Sequence, residues 1–144
     1  MTAEQMWALS GLEGEYEAWQ FGSDPDGLAS LVLSGVKTAT CSAYDLYIKD
    51  GEPVPRTGDY SVILDSSDEA VCIIRDTDVY VCPYDEAGER QAYLEGEGDR
   101  TLEYWRSVHK PFFENEMKSA GLSFDPEMKI VCEEFEAVFP RKAE

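Results

Sequence analysis

The segment Gly35-Val36-Lys37-Thr38-Ala39-Thr40-Cys41-Ser42 joins an amphipathic stretch to a β-prone stretch. Glycine readily takes the positive φ that ends a helix, so Gly35 is predicted to end one, and Lys37 with the threonines then opens a strand. Lys37 and Thr40 can meet at the rim of a sheet if the backbone bends between them, because a regular strand would send them to opposite faces. Taken alone, the segment also fits a helix cap followed by an ordinary surface lysine.

The residues before this segment predict two helices. From Thr2 to Trp19, apolar side chains recur every three or four residues among glutamates, as in an amphipathic helix. Asp24 before Pro25 predicts an N-cap and a first helical proline for a second helix, which ends at Ser34-Gly35.

The residues after the segment predict a short helix and then mainly strands. The short helix covers residues 43–48, and the β-prone runs are residues 60–64, 70–74, 79–82 and 128–139. A bulge or bend between the second and third runs would let one long strand curl.

The predicted third long helix begins after Thr101 and continues to about Ala120, with Pro111 expected to kink or split it. Residues 83–93 are predicted to form a loop with a helical turn. Helices first, then hairpin-connected strands, then a helix and a returning strand predict an α+β domain with a small, mostly antiparallel sheet or barrel.

Composition predicts one folded domain that covers residues 1–144. The chain is 43% hydrophobic and 12% aromatic, which is typical of a globular protein. Its longest apolar runs fall far short of the ~20 residues of a membrane span, and its N-terminus lacks a signal-peptide pattern. We therefore expect a cytoplasmic protein with no membrane partner.

The chain is strongly acidic, with 30 acidic residues against 12 basic ones and a formal net charge of −18. Such a charge repels a long polyphosphate backbone, so long RNA or DNA is an unfavourable partner. A local pocket for one nucleoside or nucleotide remains compatible with it.

Cysteine usage argues against a metal centre. The chain has one histidine and no C-x-x-C, so a zinc site is not expected. Reduced cysteines at core or strand positions are the better interpretation than disulfides, and they are Cys41, Cys72, Cys82 and Cys132.

Lys37, Thr40 and Glu97 form the candidate catalytic group. A threonine hydroxyl becomes a nucleophile when a base takes its proton, and a lysine can be that base when its surroundings lower the lysine pKa. A carboxylate on the glycine-rich loop 95–100 could protonate a leaving amine or position water. The alternative for that loop is a solvated acidic segment. His109, a lone histidine, is interpreted as structural.

The order and spacing of these segments resemble the ASCH domain family. The resemblance depends on Gly35-Val36-Lys37-Thr38-Ala39-Thr40, on Glu95-Gly96-Glu97-Gly98-Asp99-Arg100-Thr101-Leu102, and on Trp105-Arg106 with His109-Lys110-Pro111-Phe112-Phe113. It extends from about Trp19 to Phe139 and is greatest with the longer bacterial members.

The resemblance implies a PUA-like fold, a small β-barrel flanked by helices, with a cleft that relatives use for RNA or nucleosides. Smaller members are N4-acetylcytidine amidohydrolases. Their catalytic lysine, threonine and glutamate correspond to Lys37, Thr40 and either Glu97 or a neighbouring acid of the same loop. Substrate contacts are assigned to Tyr44, Arg100 and Trp105, for which core packing of Trp105 is the alternative.

One position departs from the family pattern. Relatives often carry an arginine two residues after the threonine, where this chain has Ser42, and the loss of that cation makes phosphate binding less favourable. The expected function is therefore a metal-independent amidohydrolase, without a cofactor, for an N4-acylated cytosine nucleoside or similar small amide. The alternatives are a non-catalytic RNA- or nucleotide-binding PUA-like module and a ribonuclease.

Overall fold

The structure is a computed structural model that describes residues 1–140. Within that range the chain forms five α-helices, a short 3-10 helix at Tyr84–Glu86, and five strands. The helices are α1 (Ala3–Ser10), α2 (Pro25–Leu33), α3 (Tyr44–Asp50), α4 (Glu89–Glu95) and α5 (Leu102–Ser119). The strands are β1 (Glu17–Gln20), β2 (Ala39–Ala43), β3 (Tyr60–Leu64), β4 (Ala70–Pro83) and β5 (Lys129–Phe139).

The described strands form a single mixed sheet in the order β1-β3-β4-β5-β2. β1 pairs with β3 in parallel, and the other neighbours are antiparallel. β4 joins the two runs predicted as strands, and its register shifts between Asp76 and Asp78, where a bulge was expected. The predicted α+β class and mostly antiparallel sheet are confirmed.

The predicted first helix over Thr2 to Trp19 is wrong beyond Ser10. Gly11 takes a φ of 74° and Gly14 a φ of 105°, so the chain leaves the helical conformation there. Residues 17–20 instead pair with β3. In this segment, pairing with a strand more than 40 positions away in the sequence is more favourable than the helix that the local periodicity predicts.

The other helix boundaries agree with the sequence. The Asp24 side chain caps α2 by accepting from Gly27 N, and Gly35 follows the helix with a φ of 80°. The Thr101 side chain caps α5, which continues through Pro111 without being split. Residues 83–93 hold more structure than the predicted loop, because they contain the 3-10 helix and most of α4.

Two of the hydrophobic clusters meet near the segment 35–42. The first packs α5 against the sheet and contains Trp105, Phe113 and Ile130. The second packs α2 against the sheet and contains Phe21, Leu28, Val32, Ile63 and Phe135. β2 begins between these clusters, so residues just before it enter the groove between α2 and α5.

None of the helices in residues 1–140 combines the length and apolarity needed to cross a bilayer. All four cysteines fall within this range, and each carries a free thiol on a strand, as predicted.

Two carboxyl groups are buried together on β4 and β5. Asp76 is 2% exposed and Glu133 is 6% exposed. Burial raises the pKa of both groups, and a hydrogen bond and charge repulsion from Asp76 raise the pKa of Glu133 further. Because two adjacent buried carboxylates repel each other, we expect Glu133 to retain a proton at neutral pH and to donate it to Asp76.

We expect Glu133→Gln to stabilise the protein at pH 8 by about 1–3 kcal/mol. A carboxyl with a raised pKa in the folded state favours folding at low pH, and that contribution is lost as the pH rises above the ordinary glutamate value of about 4.3. Glutamine offers an N–H donor to Asp76 in place of the O–H of the acid and does not titrate. Urea unfolding at pH 8 and pH 5 should show the gain at pH 8 and a smaller difference at pH 5.

Glu136→Gln is the matched control for that measurement, because Glu136 lies on the same strand with a side chain 57% exposed. Its free energy of unfolding should change by less than about 0.5 kcal/mol. A Glu133→Gln protein that is less stable than the parent at pH 8 would contradict the shared proton.

Candidate functional site

A small cleft lies between α2, the start of β2, the loop after α4 and the middle of α5. Its volume is about 50 Å³. It is lined by Phe21, Gly22, Ser23, Leu28, Lys37, Thr40, Cys41, Glu95, Glu97, Val108, His109 and Phe112.

The backbone before β2 aims Lys37 into this cleft. The amides of Val36 and Lys37 both donate to Leu31 O, at 3.0 and 3.1 Å, while Thr38 N donates to Leu94 O at 2.8 Å. Regular strand pairing begins at Ala39, after the bend. Lys37 and Thr40 therefore line the same cleft, as the predicted bend requires, and Lys37 is not a surface residue, since it is 2% exposed.

Lys37 Nζ is held by two acidic residues. It lies 3.5 Å from Glu95 Oε1, 3.4 Å from Glu95 O and 3.8 Å from Glu97 Oε2. The side-chain exposures of Lys37 and Glu95 are 1% and 2%. Water screens such a pair weakly, so its electrostatic interaction is far stronger than that of a surface ion pair.

Glu95 is the centre of a hydrogen-bond network. Its Oε2 accepts from Trp105 Nε1 at 2.6 Å and from Gln91 Nε2 at 3.1 Å. Burial favours the protonated acid, but the charge of Lys37 and the interactions with His109 and Trp105 outweigh it and lower the pKa of Glu95 to about 2. Glu95 is therefore a fixed carboxylate.

Glu97 differs from Glu95 in its electrostatics. Its side chain is 16% exposed, and burial raises its pKa despite the charge of Lys37. Two carboxyl groups beside one lysine thus have pKa values moved in opposite directions, an arrangement that suits one as a fixed anion and the other as a proton donor.

The loop that carries Glu97 is packed against the protein. Gly96 takes a φ of 75°, and a Cβ there would lie 2.7 Å from Val36 O. Arg100 fixes the loop by donating to Tyr93 O at 2.9 Å and to Val36 O at 3.3 Å. The alternative of a solvated acidic loop is therefore wrong for Glu95 and Glu97.

His109 completes the cluster from α5. Its ring stacks on Trp105 at 4.3 Å between centroids, its Nδ1 lies 2.8 Å from Trp105 O, and its Nε2 lies 3.4 Å from Glu95 Oε1. Burial opposes a charge on His109, but the hydrogen bond and charge of Glu95 outweigh it and raise its pKa. The histidine is buried, as a structural role requires, and it also lines the cleft.

The structure gathers the predicted catalytic residues and separates the predicted binding residues from them. Lys37, Thr40 and Glu97 all line the cleft, whereas the other three are absent from the lining described above. Tyr44 lies beneath Lys129, Arg100 fixes the loop, and Trp105 is a core residue behind Glu95. A substrate-binding role for Tyr44, Arg100 or Trp105 stays a prediction.

Among the residues of the cleft that carry reactive groups, sequence reasoning missed Cys41 and His109, and it left Glu95 open only as one of the acids that could replace Glu97. His109 stands four residues after Trp105, and Glu95 stands four residues after Gln91, so each shares a helix face with a buried residue. That spacing was the available signal that both side chains are buried. It does not indicate that the buried faces of α4 and α5 meet.

A mixed sheet with helices packed on it, and a cleft between α2, the start of β2 and α5, defines a PUA-like α+β domain. A family model described as ASCH domain matches residues 17–139. The crystal structure of an ASCH domain from Lactobacillus crispatus has a TM-score of 0.87 and 30% identity over 94% of this chain and 92% of that chain. The chain belongs to the ASCH domain family.

A second solved structure, of a protein from Enterococcus faecalis, has a TM-score of 0.83 and 35% identity. The match covers 93% of this chain and 86% of that chain. A search of curated proteins found no match.

Proposed function

We propose that the cleft hydrolyses a small amide, with an N4-acylated cytosine nucleoside as the substrate class, and that it does so without a metal. The observation that carries this proposal is the burial of Lys37 between Glu95 and Glu97 in the cleft that Thr40 also lines. A nucleophile, a base and an acid are then available in one small space.

Lys37 forms ion pairs with Glu95 and Glu97, and it must give up a proton before it can act as a base. Of the two carboxylates, Glu97 is the better proton acceptor because its pKa is raised, whereas Glu95 remains ionised. Transfer of one proton from Lys37 to Glu97 therefore gives a neutral amine and a carboxylic acid. Glu95 keeps the cleft electrically balanced when Lys37 is charged again.

Neutral Lys37 then takes the Thr40 hydroxyl proton as Thr40 Oγ1 attacks the acyl carbon. The ammonium that forms on Lys37 stabilises the developing oxyanion, in an environment where water screens it weakly. Glu97 gives its proton to the leaving nitrogen as the C–N bond breaks, and the acyl group remains on Thr40 as an ester. The amine product leaves.

A water molecule completes the cycle. The same transfer from Lys37 to Glu97 frees a base, which takes a proton from water as its oxygen attacks the ester carbonyl. Glu97 returns its proton to Thr40 Oγ1 as the ester bond breaks, and the acid product leaves. Each residue ends in its starting state.

The size of the cleft supports a small acyl group as the buried part of the substrate. A volume of about 50 Å³ is far below the 300–1,000 Å³, roughly, of sites that enclose a whole drug-sized ligand. The acyl carbon would enter beside Lys37, and the nucleoside base would lie outside this small volume, beside the half-buried ring of Phe112. Action in the cytoplasm is part of the proposal and agrees with four free thiols.

Incubation of the purified protein with N4-acetylcytidine, with and without a chelator, tests this function. We expect cytidine and acetate to form at the same rate in both conditions. If no acylated nucleoside is turned over, the non-catalytic nucleotide-binding module takes the place of the amidohydrolase.

We expect weak or no binding to long RNA at physiological salt. The formal net charge of −18 repels the backbone, and Ser42, where relatives often have arginine, donates to or accepts from Tyr47 Oη at 2.7 Å and offers no cation. Filter binding over a salt series measures this. Tight, sequence-independent binding that weakens steeply with salt would favour the RNA-binding alternative, whereas turnover of an uncharged nucleoside should barely respond to salt.

A further inference from the structure

Three side chains with metal-binding atoms converge in the cleft. The Cys41 thiol, a Glu95 carboxylate oxygen and a ring nitrogen of His109 all lie within 4.8 Å of one another. Glu95 is 1% exposed and His109 is 8% exposed. The three residues come from β2, α4 and α5, so their separation in the sequence hides the group from any motif.

Two of these atoms already have the spacing of a tetrahedral site. Zinc ligands of nitrogen and oxygen lie about 2.0–2.1 Å from the ion, so two of them at the tetrahedral angle are about 3.3 Å apart. His109 Nε2 and Glu95 Oε1 are 3.4 Å apart. Every contact described for Glu95 Oε1 is this long or longer, whereas Oε2 accepts at 2.6 and 3.1 Å.

The residues behind these ligands hold them in binding orientations. His109 Nδ1 lies 2.8 Å from Trp105 O and donates to it, so Nε2 is the nitrogen that faces Glu95. Trp105 and Gln91 fix the other oxygen of Glu95. A histidine that donates its second N–H to a carbonyl and a carboxylate fixed by neighbouring donors are the usual supports of protein metal ligands.

We propose that Cys41, Glu95 and His109 form a binding site for Zn²⁺, with the fourth position open to the cleft. Thiolate, carboxylate and imidazole are all zinc ligands, and three protein ligands with one open position are typical of an accessible zinc site. On binding, the Cys41 thiol and the His109 Nε2–H each lose a proton to solvent, and the sulfur and the nitrogen bond to the metal.

Lys37 must leave Glu95 Oε1 when the ion binds. Its Nζ already lies 3.8 Å from Glu97 Oε2, so Glu97 can take over the ion pair. The ion would then occupy the space proposed for the acyl group. Bound Zn²⁺ would therefore inhibit the amide hydrolysis, a consequence that rests on the proposed function.

Titration of the full-length, chelator-treated protein with Co²⁺ tests the site without any substrate. Cobalt is a coloured substitute for zinc, and a thiolate ligand gives it a near-ultraviolet charge-transfer band. We expect a band that saturates at one equivalent and disappears when Zn²⁺ is added. It should be absent in Cys41→Ser and retained in Cys82→Ser, the control at a half-buried cysteine on β4.

Gln91→Leu provides a second test that leaves all three ligands in place. Because it removes one support of Glu95, it should weaken Zn²⁺ binding about 10–100-fold in a competition assay with a coloured chelator. The site is overturned if the band is absent from the parent protein, or if it persists in Cys41→Ser. Since these readouts need no turnover, a zinc site can be found even if amide hydrolysis is not.

Discussion

Lys37→Ala and Thr40→Ala should each lower kcat for an N4-acylated nucleoside about a hundredfold or more, with a much smaller change in substrate binding. Loss of a base or a nucleophile removes an interaction made in the transition state. Because the two residues act in the same step, the double variant should be little slower than either single variant. Single-turnover assays with saturating protein separate the chemical step from binding.

Controls for these variants must keep the fold. Lys37→Met preserves most of the buried volume, and its circular dichroism and thermal unfolding show whether an inactive protein is folded. Lys110→Ala and Thr77→Ala alter the same residue types outside the cleft, at exposed positions on α5 and β4, and should leave kcat nearly unchanged. If Thr40→Ala keeps full activity, the nucleophile is a water positioned by Lys37 and Glu97.

Glu95→Gln is expected to lower the free energy of unfolding by about 3 kcal/mol or more, the range seen when one member of a buried ion pair is lost. The substitution removes the carboxylate that faces both Lys37 and His109, each of which is buried. Glutamine can still accept from Trp105, so the lost charge accounts for most of the effect. Urea unfolding at pH 7 provides the measurement.

A double-mutant cycle distinguishes the loss of this charge interaction from a packing defect. If Lys37 is the main partner of Glu95, Glu95→Gln should cost much less in a Lys37→Met background. Glu97→Gln is the matched control, because its carboxylate is more exposed and 3.8 Å from Lys37, and its cost should be about 1 kcal/mol or less. Equal costs of Glu95→Gln in both backgrounds would refute the coupling.

Local chemistry in the sequence was sufficient for most of the fold. The strand at residues 60–64, the caps at Asp24 and Thr101, and the bulge in β4 follow from β-branched content, short polar side chains and the phase of alternation. β1 could not be found in this way. It is four residues long and exists because β3 offers it a parallel edge, a partner that periodicity in one window does not reveal.

The part of the site whose residues lie close together in the sequence was predictable. Lys37 and Thr40 are three residues apart, so one bend in the backbone brings both into the cleft. Glu95, His109 and Cys41 converge through the packing of α4 and α5 against β2, which depends on the whole first core cluster. A lone histidine therefore carried little information until its neighbours in space were known.

The shape of the cleft would divide recognition unequally between the two halves of an amide. At its narrow end, each added methylene on the acyl side must displace well-packed residues at a cost of about 1–3 kcal/mol. The amine side would lie outside this small volume, beside the half-buried ring of Phe112, where different planar groups can stack with similar energies. Such a protein would be selective for the acyl group that it removes and would tolerate different amines as the leaving group. That is the selectivity of a deacylase that acts on a class of modified compounds.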